Sequence, residues 1–502
     1  MKNRNLVLFI VVLMIFSTAS VFAAGQKEEG LVVAVDSLGD HLDPHRPPGN
    51  AAHPLMALFD GLTRLDADGN LQPSIAESWE SVNDTTWRFK IREGIKFHNG
   101  EALDAELVKL NLDRMMDPDE PRAKYSFSVV ESYRVVDENT IEVVTVASDP
   151  LLPHRMTGML IAPKSMLANA KSTDFNAGPI GTGPFKFVEW VPEERITLVA
   201  NEEYFRGAPE IKQLTFRPIP EKYAQISELL TGGVDVVENI PPDFIEKIEA
   251  NDLAGIVTKP SPVNHTIILR TDVESPFTDK RVRQAMNYAV NVDEIIESMF
   301  QGYAHREATC VHPWVFGFNA DVKPYSEDLD KAKALLAEAG YADGFEIDFE
   351  VCPAVGDLYN MEVAQIIVEQ LKRVGVKVNL QSVEYGVMRR KVYGDRTVVP
   401  MFRWNWKTWY NDPDGVMYGF FHSDSIGAFV KNPELDKMIM DARFNLDQAD
   451  RDAIYKKLQE YVREEAYHIA LYYLDTIYGV SSRIEWEPRA DARLYFYDVK
   501  LK

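Results

Sequence analysis

Apolar positions along the chain fall into short β-branched or alternating runs, interspersed with stretches of helical period. Leu31-Val32-Val33-Ala34-Val35 is a compact apolar run ending at Asp36, the pattern of a buried strand. The loop that follows, Asp43 to Asn50, is stiffened by Pro44, Pro47 and Pro48. Thr86 to Ile91 alternates, with Trp87, Phe89 and Ile91 on one face, and Gly94 to Gly100 reads as a turn. Asp104 is placed to cap a helix reaching Met115. Tyr133–Val136 and Thr140–Val146, joined by Asp137-Glu138-Asn139, predict a hairpin. A Gly- and Pro-rich stretch, Gly178 to Pro184, marks a boundary before strand patterns at Phe185–Trp190 and Arg195–Ala200.

A second half opens near Asn264. His265–Leu269 is strand-like, Asp279–Phe300 is helical, and Asp330–Ala339 is a helix closed by Gly340. Phe345–Val351, Met361–Val374 and Val376–Val383 read as strand, helix and strand, with Gly375 stopping the helix. That order implies a parallel βαβ unit. Val399–Trp406 is a further strand candidate, Asp450–Ala466 a last long helix and Ile477–Ser481 a returning strand. No internal repeat or low-complexity segment interrupts this α/β pattern.

The N-terminus has a different character. Lys2 and Arg4 precede an uninterrupted apolar run of 11 residues, Leu6 to Phe16, and Val21-Phe22-Ala23 fits a small-x-small cleavage rule. The run is well short of the ~20 residues that span a bilayer, so residues 1–23 are expected to be a secretory signal peptide, with 24–30 as a tether. No later stretch is apolar enough to span, and a periplasmic or extracellular mature chain is expected.

Composition narrows the function. At 502 residues, 46% hydrophobic and 26% charged, the chain is ordinary globular material and large enough for several domain-sized units. Its formal charge of −23 argues against nucleic acid, whose affinity comes from cations neutralising phosphates. Two cysteines, Cys310 and Cys352, cannot build a disulfide framework or a Cys-based zinc cluster; they could pair with each other or stay as buried thiols. Signatures of serine acyl transfer, zincins, P-loops and dinucleotide loops are all missing. Gly181-Thr182-Gly183 lacks a third glycine and precedes a strand. His41 and His45 are separated by Pro44 and share no helix face, so a plain loop is expected there rather than a metal site. No catalytic residue, cofactor or metal is assigned.

One local composition stands apart. Arg403-Trp404-Asn405-Trp406-Lys407-Thr408-Trp409-Tyr410-Asn411-Asp412 holds three of the eight tryptophans within six residues, next to an Asn-Asp-Pro-Asp-Gly turn. Aromatic faces supply apolar area and cation–π attraction, while Arg403 and the turn supply charge and hydrogen bonds. Core packing competes with that reading, since tryptophan is highly buried on average. Strand alternation also forbids all three from pointing the same way.

With these stretches in hand, the chain resembles the peptide/nickel family (family 5) of solute-binding proteins of ATP-binding-cassette importers, over residues 31–502. The resemblance rests on LDPH (42–45), IAESWE (75–80), WRFKIREGIKFHNGEAL (87–103), GTGPFKFVEW (181–190), NEEYFRGAP (201–209), DKRVRQAMNYAVN (279–291), KAKALLAEAGY (331–341) and VGVKV (374–378). It implies a two-lobed periplasmic-binding-protein fold of the large, cluster C-like kind. Lobe I would comprise 31–57, 178–264 and 482–502, with a subdomain, 58–177, inserted; lobe II would be 265–481. The implied function is capture of a small peptide-like solute between the lobes and delivery to transmembrane permease subunits, by a monomer. An oligosaccharide, an opine, a glutathione-like compound, a longer peptide or a metal chelate are the alternatives, and a secreted hydrolase is the rival from another class. Dipeptide binders of the family are expected to hold the ligand's amino group with an Asp just upstream of the Asp-Pro turn, where Trp409 and Tyr410 stand here. They are expected to hold its carboxylate with an Arg before the helix at 361–374, where residues 357–362 offer none. A simple dipeptide is thereby disfavoured. The expected ligand wall is Arg403, Trp404, Trp406, Trp409, Tyr410, Asn411 and Asp412 from lobe II. His45, Arg46 and Asn50 would approach from lobe I, with Tyr385 at the edge.

Overall fold

In a computed structural model, residues 30–46, 52–117, 127–167, 172–353, 359–408 and 410–502 are described below. Residues 1–29, where the signal peptide is expected, Asn50 and Trp409 lie outside them. Gly30–Val35 is a strand paired in parallel with Gln213–Pro218 on one side and Val236–Val237 on the other. Its flanked position explains the run of apolar residues, since Leu31, Val33, Ala34 and Val35 are all buried.

An 11-stranded sheet runs through the molecule. From one edge its order is Val376–Ser382, Phe345–Val351, Met401–Lys407, Ala254–Leu269, His468–Ser481, Val236–Val237, Gly30–Val35, Gln213–Pro218, Arg195–Ala200 and Phe185–Val191, with Ala304–Arg306 pairing additionally onto His468–Ser481. The two central strands are its longest, at 16 and 14 residues, and pair antiparallel along most of their length. Their register breaks between Pro260 and Asn264. On one side of the break Ala254–Pro260 pairs with Asp475–Ser481; on the other, Asn264–Ile268 pairs with His468–Tyr473 and with Phe402–Trp406.

That break divides two lobes. Leu31, Phe185, Leu214, Phe216, Tyr478, Val480, Trp486 and Phe496 share one core, continued by Ala34, Ile226, Leu229, Ile240 and Ile477. On the other side of the break both sheet faces are buried. Ile267, Phe349 and Met401 face one core, and Ile268, Phe402, Val416 and Phe420 face another. Ile477, Tyr478 and Val480 thus pack in lobe I, so the chain crosses between lobes within the strand His468–Ser481. A separate core, with Leu62, Phe89, Ile91, Leu112 and Ile141, belongs to a four-stranded antiparallel sheet ordered Ala76–Asn83, Thr86–Ile91, Thr140–Thr145, Val130–Asp137. Helix Ala105–Met115 covers it, and Asp104 caps that helix by accepting from the Leu107 N–H at 2.8 Å.

The βαβ unit forms as its sequence implies, with Phe345–Val351 parallel to Val376–Ser382 and helix Asn360–Lys372 burying Val363, Ala364, Ile367 and Leu371. The single helix expected over Asp279–Phe300 is instead two, Lys280–Ala289 and Val292–Met299. Val290 is extended there, and Asn291 caps the second helix through the Glu294 N–H at 3.0 Å. Cys310 and Cys352 are buried free thiols.

Candidate functional site

The strand Met401–Lys407 carries its side chains to opposite faces, and this alternation sorts the tryptophan cluster. Trp404 and Trp406 both turn onto the lobe II core. The Trp404 indole N–H donates to the Tyr393 hydroxyl at 2.9 Å. Trp406 lies against Phe420, ring centroids 5.3 Å apart, over Gly419 and Gly427. A Cβ on Gly419 would come within 2.4 Å of the indole, so the missing side chain is what admits the ring. Both tryptophans are half-buried in this packing.

Arg403 sits on the other face and is buried. Its guanidinium contacts the Tyr472 hydroxyl at 3.1 Å and His265 Nδ1 at 3.0 Å, inside the sheet rather than at its rim. Asp412 is likewise interior. Its carboxylate receives Arg451 Nη1 at 2.5 Å and Nη2 at 2.7 Å, and it also accepts from the Asp414 N–H. These contacts engage Arg403 and Asp412 within lobe II.

His45 is buried, with Nε2 donating to the Leu160 carbonyl at 3.1 Å and Nδ1 accepting from Arg114 at 2.8 Å. Burial, then the Arg114 charge, pushes its pKa down to about 4, so it is a neutral packing residue. Arg46 is half-buried beside it. Tyr385 opens the helix Tyr385–Tyr393 and is 53% exposed.

Tyr410 and Asn411 do reach across. Both take left-handed backbone conformations, φ 65° and 51°, which turn the chain out of the sheet toward lobe I. Asn411 Nδ2 donates to the Asp68 carbonyl at 2.9 Å. Tyr410 lies 6.0 Å, ring to ring, from His154 of the inserted subdomain. Arg155 of the same subdomain pairs with Asp149 at 2.8 Å and approaches Asp414 at 3.8 Å. Gln301 donates to Asp243 at 2.8 Å, a second bridge between lobes. The lobes are closed on one another.

Lys407 is the last residue of its strand. It lies within Coulombic reach of Arg493, Asp491 and Glu238, all from lobe I. Burial, then the Arg493 charge, lowers its pKa to about 8. Burial raises Glu238 to about 6, and burial with Lys407 and Arg493 nearby lowers His53 to about 4. His53 Nδ1 accepts from the Leu494 N–H at 3.2 Å and its Nε2 is 3.9 Å from Glu238. Half-buried charged side chains from both lobes thus stand within electrostatic range of one another. Among the described residues no group of three or more His, Cys, Asp or Glu is placed to hold a metal ion.

Of the expected wall, the structure brings Tyr410 and Asn411 to the interface between lobes. Lys407, His53, Glu238, Asp491, Arg493 and Arg155 were missed. Alternation alone could have separated Lys407 from Trp404 and Trp406. Nothing local marks Arg493 or His53, which topology brings in from opposite ends of the chain.

Three comparisons bear on this arrangement. The model of the bacterial extracellular solute-binding proteins, family 5 (middle region), matches residues 70–428. The chain is 29% identical over 455 residues to the glutathione-binding protein GsiB of Pectobacterium atrosepticum, covering 87% of each chain. It is 27% identical over 428 residues to heme-binding protein A of Haemophilus influenzae, covering 79% of this chain and 78% of that one. Its structure is similar to that of the periplasmic binding protein DppA of Helicobacter pylori in complex with the peptide STSA. That likeness has a TM-score of 0.79 and 25% identity, and covers 95% of this chain and 99% of the other.

Proposed function

The chain belongs to the bacterial extracellular solute-binding proteins of family 5, and from that premise we propose that it captures a peptide-like solute where Lys407 meets Arg493 and Glu238. The observation that carries this reading is that those charged side chains from both lobes stand within electrostatic range of one another. A peptide-like solute offers the matching carboxylate, amino and amide groups. Relatives are named for glutathione and heme, and a similar structure holds a tetrapeptide. A compound of the glutathione or short-peptide class suits the enclosed, charged contact better than an extended neutral sugar.

In this reading residues 1–23 are removed on export and the mature chain begins near Ala24. Lobe I comprises about 31–57, 178–260 and 476–502, and the inserted subdomain 58–177. The rest, from Asn264 to Leu474, is lobe II. The closed form engages transmembrane permease subunits as a monomer, without turnover of its solute and without nucleic acid. No helix among the described residues is long and apolar enough to cross a membrane.

Mass spectrometry of the solute released on denaturing the exported protein, followed by titration of that solute into stripped protein, tests the site. Lys407→Met should weaken binding tenfold or more while melting cooperatively. Equal affinity in the wild type and K407M would move the site elsewhere. A panel of chromogenic esters, glycosides and peptides should show no hydrolysis; turnover abolished by one carboxylate substitution would contradict a pure binder.

A further inference from the structure

Several contacts join the inserted subdomain to the lobe II turn that runs from Tyr410 to Asp414. His154 lies 6.0 Å, ring to ring, from Tyr410, and the Asp68 carbonyl accepts from Asn411 at 2.9 Å. A further contact is charged. Arg155 Nη2 stands 3.8 Å from Asp414 Oδ2, and both side chains are largely buried, at 13% and 5% exposure. Each also has a partner on its own side. Arg155 Nε donates to Asp149 Oδ2 at 2.8 Å within the subdomain. Asp414 Oδ1 stands 3.4 Å from Arg443 Nη1 within lobe II.

Asp149, Arg155, Asp414 and Arg443 thus form a row of alternating sign that crosses from one packed unit to another. Leu152 and Met156, on either side of Arg155, belong to the subdomain core with Phe89 and Ile141. Val416 and Ala442, close in sequence to Asp414 and Arg443, belong to a lobe II core. The neighbouring charges are already answered. Asp412 is held by Arg451 through two hydrogen bonds, and burial lowers the pKa of His154 and favours its neutral form. Parting the two units therefore leaves one ion pair on each side and strands no buried charge. Joining them adds the attraction of Arg155 for Asp414. Displacing the row by one position would set Arg155 against Arg443 and Asp149 against Asp414, like charge against like. The row therefore favours one alignment of the subdomain on lobe II.

We propose that this row sets the register of lobe closure: Arg155 docks on Asp414 as the lobes come together, and Asp149 and Arg443 hold the two halves ready when they part. The proposal rests on the reading that solute is captured by closure, and it makes Arg155 a positioning residue that acts on the closed pose rather than on the solute. Desolvation offsets much of the attraction in a buried ion pair, so what the row supplies is alignment more than overall stability.

Closure can be driven without the solute by trimethylamine N-oxide, which is excluded from protein surface and favours the form that exposes less of it. Spin labels on Val136→Cys in the subdomain and Val387→Cys in lobe II, both exposed positions, report the distance between the units by double electron–electron resonance; the native cysteines are buried. Stripped wild-type protein should show two distance populations, the closed one growing with osmolyte. Asp149→Asn combined with Arg155→Met removes one pair whole. It should melt cooperatively, with a closed-to-open ratio about fivefold lower or more at the same osmolyte concentration. Asp414→Asn with Arg443→Met should do the same, and the fourfold variant should lose no more than either pair variant, because the row has one junction to lose. Arg155→Lys keeps the charge but not the two-pronged reach; its ratio should fall between, which keeps the test decisive should the pair variants not fold. Equal ratios in the wild type and D149N/R155M, losses that add in the fourfold variant, or a wild-type ratio in R155K would overturn the register while leaving closure intact. A wild type with a single distance population at every osmolyte concentration would instead overturn the closure reading, and the register with it.

Discussion

Arg451 and Asp412 illustrate how much of this molecule is decided by single buried pairs. Both are nearly inaccessible, at 1% and 6% side-chain exposure, and they meet in a two-pronged geometry that also orients the turn before helix Asp414–Phe421. Removing one member of such a pair strands the other charge in a low dielectric, at a cost of about 3–5 kcal/mol. Asp412→Ala should therefore lower stability by about that amount, measured by urea unfolding, with the solute affinity of the folded fraction little changed. A stable D412A that has lost its ligand would instead make Asp412 a binding residue. The pair also shows what a sequence conceals. The Asn-Asp-Pro-Asp-Gly stretch announces a turn, but the arginine that claims its first aspartate lies 39 residues on, in a different helix. Trp404 and Trp406 are legible as a shared strand face. Which face the core takes depends on Gly419 and Gly427, and no local rule links those glycines to the strand.

Elements were legible where their periodicity is local and obscured where neighbours extend them. Thr86–Ile91, Arg195–Ala200 and Phe345–Val351 form over the residues their patterns mark. Only the last third of Ala254–Leu269 reads as a strand, because Lys259, Pro260, Ser261 and Pro262 break the apolar pattern; pairing with Asp475–Ser481 holds the rest extended. The glycines framing the βαβ unit allow a direct test. Gly344 has φ +79°, and a Cβ there would lie 1.9 Å from the Gly375 carbonyl oxygen, a backbone atom that no rotamer change can move aside. Gly344→Ala should cost about 1–3 kcal/mol, more than the ordinary penalty for alanine at a left-handed position. Gly100→Ala, whose Cβ would meet nothing at φ +87°, is the control that isolates backbone strain. Equal losses at the two positions would mean that the close approach to Gly375 carries no energy.

At the scale of the whole molecule, buried imidazoles set an acid limit. Burial lowers His45 to about 4 and His468 to about 3, from 6.5, and His98 behaves like His45. The unfolded chain takes up these protons near pH 6.5 and the folded one does so only at the lower values. Below 6.5 the unfolded state therefore binds more protons, and stability falls with pH until the folded values are reached. A shift of that size is worth on the order of 3 kcal/mol for each fully buried ring. The urea midpoint should begin to fall near pH 6.5, above the ordinary carboxylate range, and His468→Phe should flatten the slope between pH 6.5 and 4. A midpoint constant from pH 7 to pH 5 would rule this out.

The fold's largest consequence is mechanical. Two long strands cross from lobe to lobe with their register broken at Pro260–Asn264, and charged groups from both sides meet at Lys407. In the proposed reading, a solute whose charges complement Lys407 and Arg493 favours closure. Small-angle X-ray scattering on stripped protein, before and after adding one equivalent of the solute recovered from it, tests this most directly. Solute should shrink the radius of gyration and raise the Tm together, with about 2.7 kcal/mol of stabilisation at 100 times the Kd. Tight stoichiometric binding with superimposable scattering profiles would contradict capture by closure of the two lobes.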